Sequence, residues 1–252
     1  MENHYSDTLR QGIQLLYFQS DPSKFPDGVR LLEQAVANEE PHAFYFLARC
    51  YGWGDGNVKD DEKKAKKLSK RGIELGSDLC VLGADRMDIL KGDIANAMTG
   101  TLEDAFHGVL AMAEAGEPMA QYAVGLFYFW GDMLLHFQKP SKEDFIKYEK
   151  QNAAEALKWF RRSAEKGCIP AFRNAFNSVR NGVNGVEKNL DEALRWAENM
   201  DGKVDMRDYY HSLVLEYQGL KRHSDAIRWC EKGTRQGVTV CMVDLGLVYL
   251  YG

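Results

Sequence analysis

Apolar positions recur at helical spacing in segment after segment of this chain, and tight glycine turns separate the segments. The stretch Ala120 to Gly131 shows the pattern well. Ala120, Val124 and Tyr128 lie on one stripe of a helix, and Tyr122, Gly125 and Phe129 on the next, so two sides are apolar. That is the profile of an inner helix covered by neighbours on both flanks. Gly125 permits close approach of another helix, and Gly131 supplies the left-handed residue that ends this one. From Glu155 to Gly167 a second helix turns Ala156, Leu157, Phe160 and Ala164 inward and again stops at a glycine.

One phrase returns in step with these helices. Glu155-Ala-Leu-Lys-Trp159, Glu192-Ala-Leu-Arg-Trp196 and Asp225-Ala-Ile-Arg-Trp229 each join an acid, a small residue, an aliphatic, a base and a Trp. Fainter copies centre on Gly28, Ala65 and Ala105. Self-similarity at a period of roughly 35–50 residues predicts a repeat solenoid, in which no unit buries its apolar face alone. Trp159, Trp196 and Trp229 keep time with the repeat and are assigned to packing between units.

Composition changes the picture little. A hydrophobic content of 45%, with 12% aromatic residues, supports a continuous core rather than a disordered chain. The formal charge of −5 gives no global reason to expect a nucleic-acid or membrane partner. The start of the sequence lacks the basic and apolar regions of a secretory signal. Five cysteines, Cys50, Cys80, Cys168, Cys230 and Cys241, form an odd set without a C-x-x-C and read as reduced hydrophobes of a cytoplasmic protein.

The motif Ala120-x-Tyr-x-Val-Gly125-x-x-Tyr128-x-x-Gly131, with Glu155-Ala-Leu-Lys-Trp159-Phe160 and Ala164-Glu-Lys-Gly167, resembles the Sel-one-like repeat, a relative of the tetratricopeptide repeat. Gly54-Asp-Gly-Asn-Val-Lys-Asp60 and Asn181-Gly-Val-Asn-Gly-Val-Glu-Lys-Asn189 look like that family's interhelical turn, and Val243-Asp-Leu-Gly246-x-x-Tyr249-x-x-Gly252 opens a further unit. The resemblance spans residues 40–252, blurred around 77–115 and 203–237. It implies an all-α, right-handed α/α superhelical solenoid of tandem helix–turn–helix units forming one domain. The expected division is an N-terminal pair or cap at 4–38, repeats at 40–76, 77–116, 118–167, 169–202 and 203–237, and the first helix of an incomplete repeat at 239–252.

Four departures accompany the resemblance. The first pair lacks the glycine signature, with Asp21 to Asp27 as its expected turn. Extra residues between Asp132 and Asn152 predict a second helix extended beyond the solenoid body, with Met133 to Phe137 as an apolar patch that packs over the turn or forms a contact arm. Secreted members of the family look stapled by paired cysteines, which are missing here. The last helix, apolar nearly all round, suggests either a fragment or an end that docks on a partner or a second copy.

Chemistry-bearing motifs are scarce. Gly52 to Gly56 lacks the strand and Gly-Lys-[Ser/Thr] of a phosphate loop, and the acids around Asp55 miss calcium-loop spacing. The histidines, His4, His42, His107, His136, His211 and His223, form no metal-spaced pair, and no nucleophile elbow occurs. No catalytic residue, metal site or cofactor is expected. Lys63, Lys64, Lys66, Lys67, Lys70 and Arg71 read as a solvated outer face or a local docking patch for acid.

The residues expected to bind a partner lie on first helices, which in tetratricopeptide-like solenoids line the concave surface. Asn174, Asn177 and Asn181 form one helical face beside Arg173 and Arg180. The amides could bond an extended peptide backbone while an arginine pairs with an acidic or carboxyl end. Arg49 with Trp53, and Trp130 with Tyr251, hold matching positions on other first helices as aromatic and cationic anchors. The expected function is a non-catalytic scaffold or adaptor that presents a groove to a protein or peptide. A self-associating structural adaptor is the alternative, and a hydrolase, by analogy with activities claimed for cysteine-rich family members, is less favoured.

Overall fold

A computed structural model describes residues 5–85 and 100–251. Among them the chain is all-α, an α/α solenoid of thirteen α-helices in tandem. They are α1 (Asp7–Tyr17), α2 (Phe25–Ala37), α3 (Ala43–Trp53), α4 (Glu62–Glu74), α5 (Asp78–Asp85), α6 (Leu102–Glu114) and α7 (Pro118–Phe129). Then follow α8 (Phe145–Ala164), α9 (Ile169–Asn181), α10 (Leu190–Met200), α11 (Tyr210–Gly219), α12 (His223–Arg235) and α13 (Thr239–Tyr251). Residues 86–99, within the blurred part of the repeat pattern, lie outside the described set, as do His4 and Gly252.

Local chemistry sets the boundaries. Ser6, Asp61 and Asn189 each accept a bond from a first-turn backbone N–H of α1, α4 and α10, and Thr101 with Asp104 closes a capping box on α6. At the other end one turn is repeated. Gly76, Gly116, Gly167 and Gly237 all adopt φ between 80° and 98°. The N–H of each and of the next residue returns to carbonyls of the helix just ended, as in Gly116 to Ala113 and Glu117 to Met112. Glu39 makes the same turn at φ 55°, a conformation that a side chain opposes. The first unit therefore has the repeat's geometry without its glycine.

The repeated phrase explains itself in the packing. Its small residue, Ala65, Ala105, Ala156, Ala193 or Ala226, is buried in every copy, where a larger side chain would hold the helices apart. Trp159 and Trp229 are buried, and Trp196 stacks on Phe172 with centroids 5.0 Å apart, so all three belong to the core. Helices adjacent in sequence pack on one another from α1 to α10 and again from α11 to α13, as a solenoid requires.

Two segments depart from the expected outline. Of the Asp21–Asp27 turn, only Pro22–Lys24 is a short 3-10 turn; α2 already begins at Phe25, because Pro26 is tolerated in a first turn. After α7, Leu134–Gln138 forms a π-type turn that ends at Lys139, φ 40°. The long α8, twenty residues against thirteen for α6, then carries the expected extension. The apolar patch divides. Met133 is buried and Phe137 lies 5.7 Å from both Phe106 and Phe127, while Leu135, Phe145 and Ile146 face solvent. Gln138 and Asn152 exchange reciprocal amide bonds that fix the patch against α8.

Candidate functional site

The array curls until its first unit meets the later ones. The Ser20 N–H donates to Asp205 Oδ2 at 2.9 Å across 185 residues of sequence. Asp205 is held in turn by Arg207, whose Nε lies 3.0 and 3.1 Å from its two oxygens. Partial burial works against the Asp205 charge, but Arg207 and the Ser20 N–H outweigh it and keep the carboxyl below its ordinary range.

Within this curl a cluster forms around Arg49. Its Nε donates to Asp55 Oδ2 at 2.8 Å, and the Tyr17 hydroxyl donates to the same oxygen at 2.8 Å. The guanidinium carbon lies 5.5 Å from the Tyr122 ring centroid and 5.8 Å from those of Tyr17 and Tyr45. Burial opposes the charge on Arg49, but Asp55 and the three tyrosines more than restore it. Burial likewise pushes the Tyr122 hydroxyl up to about 12. The loop after α3 makes the pairing possible: Gly54 and Gly56, both at φ 70°, turn the chain so that Asp55 faces back toward Arg49. Arg49 is only 9% exposed and is committed to this internal pairing.

Beside the cluster opens a cleft of about 370 Å³, framed by Tyr17, Phe25, Trp53, Asn57, Pro170 and Arg173 among others. Four distant parts of the chain thus share it: the end of α1 with its turn into α2, the turn after α3, the start of α9, and Asp208 ahead of α11. Trp53 is 51% exposed at its wall. Arg173 is exposed and uses Nε to donate to the Tyr209 hydroxyl at 3.0 Å. Partial burial works against its charge, and Tyr209 favours it.

The other expected residues are distributed unequally. Asn174 and Asn177 are half-buried and Asn181 is exposed, on one stripe of α9 that continues from Arg173. Arg180 is ion-paired with Glu216 of α11. Trp130, 56% exposed, caps α7 edge-on to Phe129 and is not part of the cleft. Tyr251 ends α13, and its side chain lies outside the described residues. The motif reading missed Tyr17, Tyr45, Tyr122 and the Ser20–Asp205 contact. The recurring aromatic residues on first helices were the only trace of them.

Among the described residues no group of three His, Cys, Asp or Glu side chains could hold a metal ion. His42 Nδ1 lies 3.1 Å from Ser77 Oγ, yet Ser77 is fully buried and its oxygen caps α5 by accepting from the Cys80 N–H. That hydroxyl faces no substrate space. No described helix is long and apolar enough to cross a membrane.

Four stretches, residues 41–77, 118–138, 147–168 and 179–199, match the family model described as Sel1 repeat. No match was found among curated proteins. Similar solved structures include a Sel1 repeat protein from Oxalobacter formigenes, 20% identical with TM-score 0.40, the alignment covering 97% of this chain and 66% of that one. An immunity protein from Pseudomonas aeruginosa is 18% identical with TM-score 0.37, covering 77% and 63% respectively. A protective antigen of uropathogenic Escherichia coli strains, displaying an SLR fold, is 17% identical with TM-score 0.30, covering 98% and 56%. The chain therefore spans less than two thirds of the length of each of these proteins. Sel1 repeats are generally protein-interaction scaffolds, a fold that is typically non-catalytic. The chain thus carries Sel1 repeats in these four stretches, within an all-α solenoid of tandem helix pairs.

Proposed function

We propose that the chain is a non-catalytic cytoplasmic scaffold that binds a protein or peptide partner on the inner side of its curl. The observation that carries this reading is the convergence of Trp53 and Arg173 on one cleft between segments distant in the sequence. A rigid repeat array holds such a cleft preformed, so the partner bears most of the ordering cost. Trp53 offers an exposed aromatic wall. The guanidinium nitrogens of Arg173 not used by Tyr209 suit a carboxylate. The amides of Asn174, Asn177 and Asn181 continue the surface along α9 and suit an extended backbone. Arg49 contributes indirectly, by fixing the Asp55 wall, and Arg180 is engaged by Glu216. Trp130 and Tyr251 are secondary anchors on other first helices. Five free, buried cysteines are in keeping with a reducing compartment.

A pull-down tests the reading. The intact chain is compared with Trp53→Ala/Arg173→Ala and with Asn174→Ala/Asn177→Ala/Asn181→Ala, each checked for unchanged helicity. A defined partner lost in the first variant and weakened in the second is expected. Equal capture by all three would overturn the inner-face assignment.

Self-association is a second reading, favoured by α13, where Val243, Leu247, Tyr249 and Leu250 face solvent. Light scattering over a concentration series then gives a rising mass. A constant monomer mass removes it.

A further inference from the structure

The cations of α4 fall into two groups that the sequence does not separate. Lys66 pairs with Glu62 at 2.5 Å, Arg71 pairs with Glu39 and Glu74, and Lys64 donates to the Tyr51 hydroxyl at 2.6 Å over its ring. Lys63, Lys67 and Lys70 are exposed, and among the described residues no side chain pairs with any of them. These three stand at i, i+4 and i+7. At 100° per residue they form a single ridge centred about 140° around the helix from the buried edge of Ala65, Ser69, Gly72 and Ile73.

We propose that this ridge docks an acidic segment of a protein partner, one helix or strand wide, separately from the inner cleft. Charge complementarity selects the occupant. Three unneutralised ammonium groups in a row attract carboxylates along a line of about 10 Å. On the corresponding helices of the adjoining units, Glu33 of α2 and Glu103 and Glu114 of α6 are exposed acids, and the exposed Arg30 of α2 is paired with Asp27. The basic strip is therefore narrow, and the chain around it is negative at −5 overall. A flat anionic membrane or a long nucleic acid would meet the flanking acids as well, whereas a single acidic helix or strand fits between them.

The probe is a fluorescein-labelled peptide with Glu at i, i+4 and i+7, titrated with the full chain and followed by anisotropy. Binding at low salt is expected, weakening steeply as ionic strength rises from about 0.05 M to about 0.5 M. Lys63→Gln/Lys67→Gln/Lys70→Gln is expected to weaken it by about tenfold or more. Lys66→Gln, which removes a lysine already paired, should change it by less than about twofold. All substitutions are on the solvent side of α4, and circular dichroism confirms that they fold. Absence of saturable binding, equal loss in the Lys66→Gln control, or tighter binding to single-stranded DNA or phosphatidylserine vesicles than to the peptide would each overturn the proposal.

Discussion

The guanidinium of Arg49 and the carboxylate of Asp55 meet at 2.8 Å, roofed by tyrosines from α1, α3 and α7. Their side chains are 11% and 21% exposed, so this ion pair works largely without water. Removing one partner of such a pair leaves a buried charge, at a cost of about 3–5 kcal/mol. Arg49→Ala is expected to lose that much in urea denaturation. Arg49→Lys should recover only part of it, because an ammonium cannot both bond Asp55 and lie flat against three rings. A loss below about 0.5 kcal/mol would mean that the cluster is not holding the units together.

Gly125 and Gly246 predict opposite signs for one substitution. A methyl group on Gly125 would sit 2.6 Å from Phe160 Cδ1, in the contact between α7 and α8. Gly125→Ala is expected to destabilise by about 1–3 kcal/mol despite the better helix propensity of Ala. At Gly246 the same methyl meets nothing within 4 Å, so Gly246→Ala should stabilise by about 0.5–1 kcal/mol. Thermal melts of the two variants settle both signs.

Glu117 caps α7 through the Ala120 N–H at 2.5 Å, yet burial pushes its carboxyl up to about 7. An acid with a raised folded-state value holds its proton longer folded than unfolded. Its contribution is therefore fully present below the ordinary value of 4.5, and is lost as pH rises to about 7. Glu117→Gln keeps an oxygen for the cap and removes the titration. The stability of the parent relative to this variant should fall across that window by an amount on the order of 1–3 kcal/mol. A pH-independent difference would contradict the burial of this carboxyl.

Burial also raises the cysteine thiols, Cys50 and Cys80 to about 12 and Cys168 and Cys230 to about 11. All five are free and buried. With a thiol reagent near pH 8 the native chain is expected to react very slowly, and the five cysteines should appear together on denaturation. A rapid native reaction at one of them would identify an opening segment.

The parts legible in the sequence were those written locally. The buried alanines follow from a five-residue phrase, the turns at Gly116 and Gly167 from a single residue, and the Asn174–Asn181 stripe from the helical period. The long α8 was visible as surplus length. Arg49 was harder. An arginine beside a tryptophan on a first helix resembles an exposed anchor, because arginine is rarely buried. Only the left-handed turn at Gly54 and Gly56, together with the curl that brings Tyr122 over it, makes it an internal group. The pairing of Arg180 was out of reach for a similar reason. Its partner Glu216 lies in α11, where the repeat pattern is faint.

The Ser20–Asp205 contact sets a gauge on the number of repeats. A linear solenoid can gain or lose a unit by duplication or deletion, because each repeat touches only its neighbours. Here an extra helix pair inserted anywhere between α2 and α10 would carry Asp205 past Ser20 and open the curl. The Trp53–Arg173 cleft, walled from both sides of that junction, would open with it. Variation in this lineage is thus expected in surface residues and turn lengths, while the count of units between those two points stays constant.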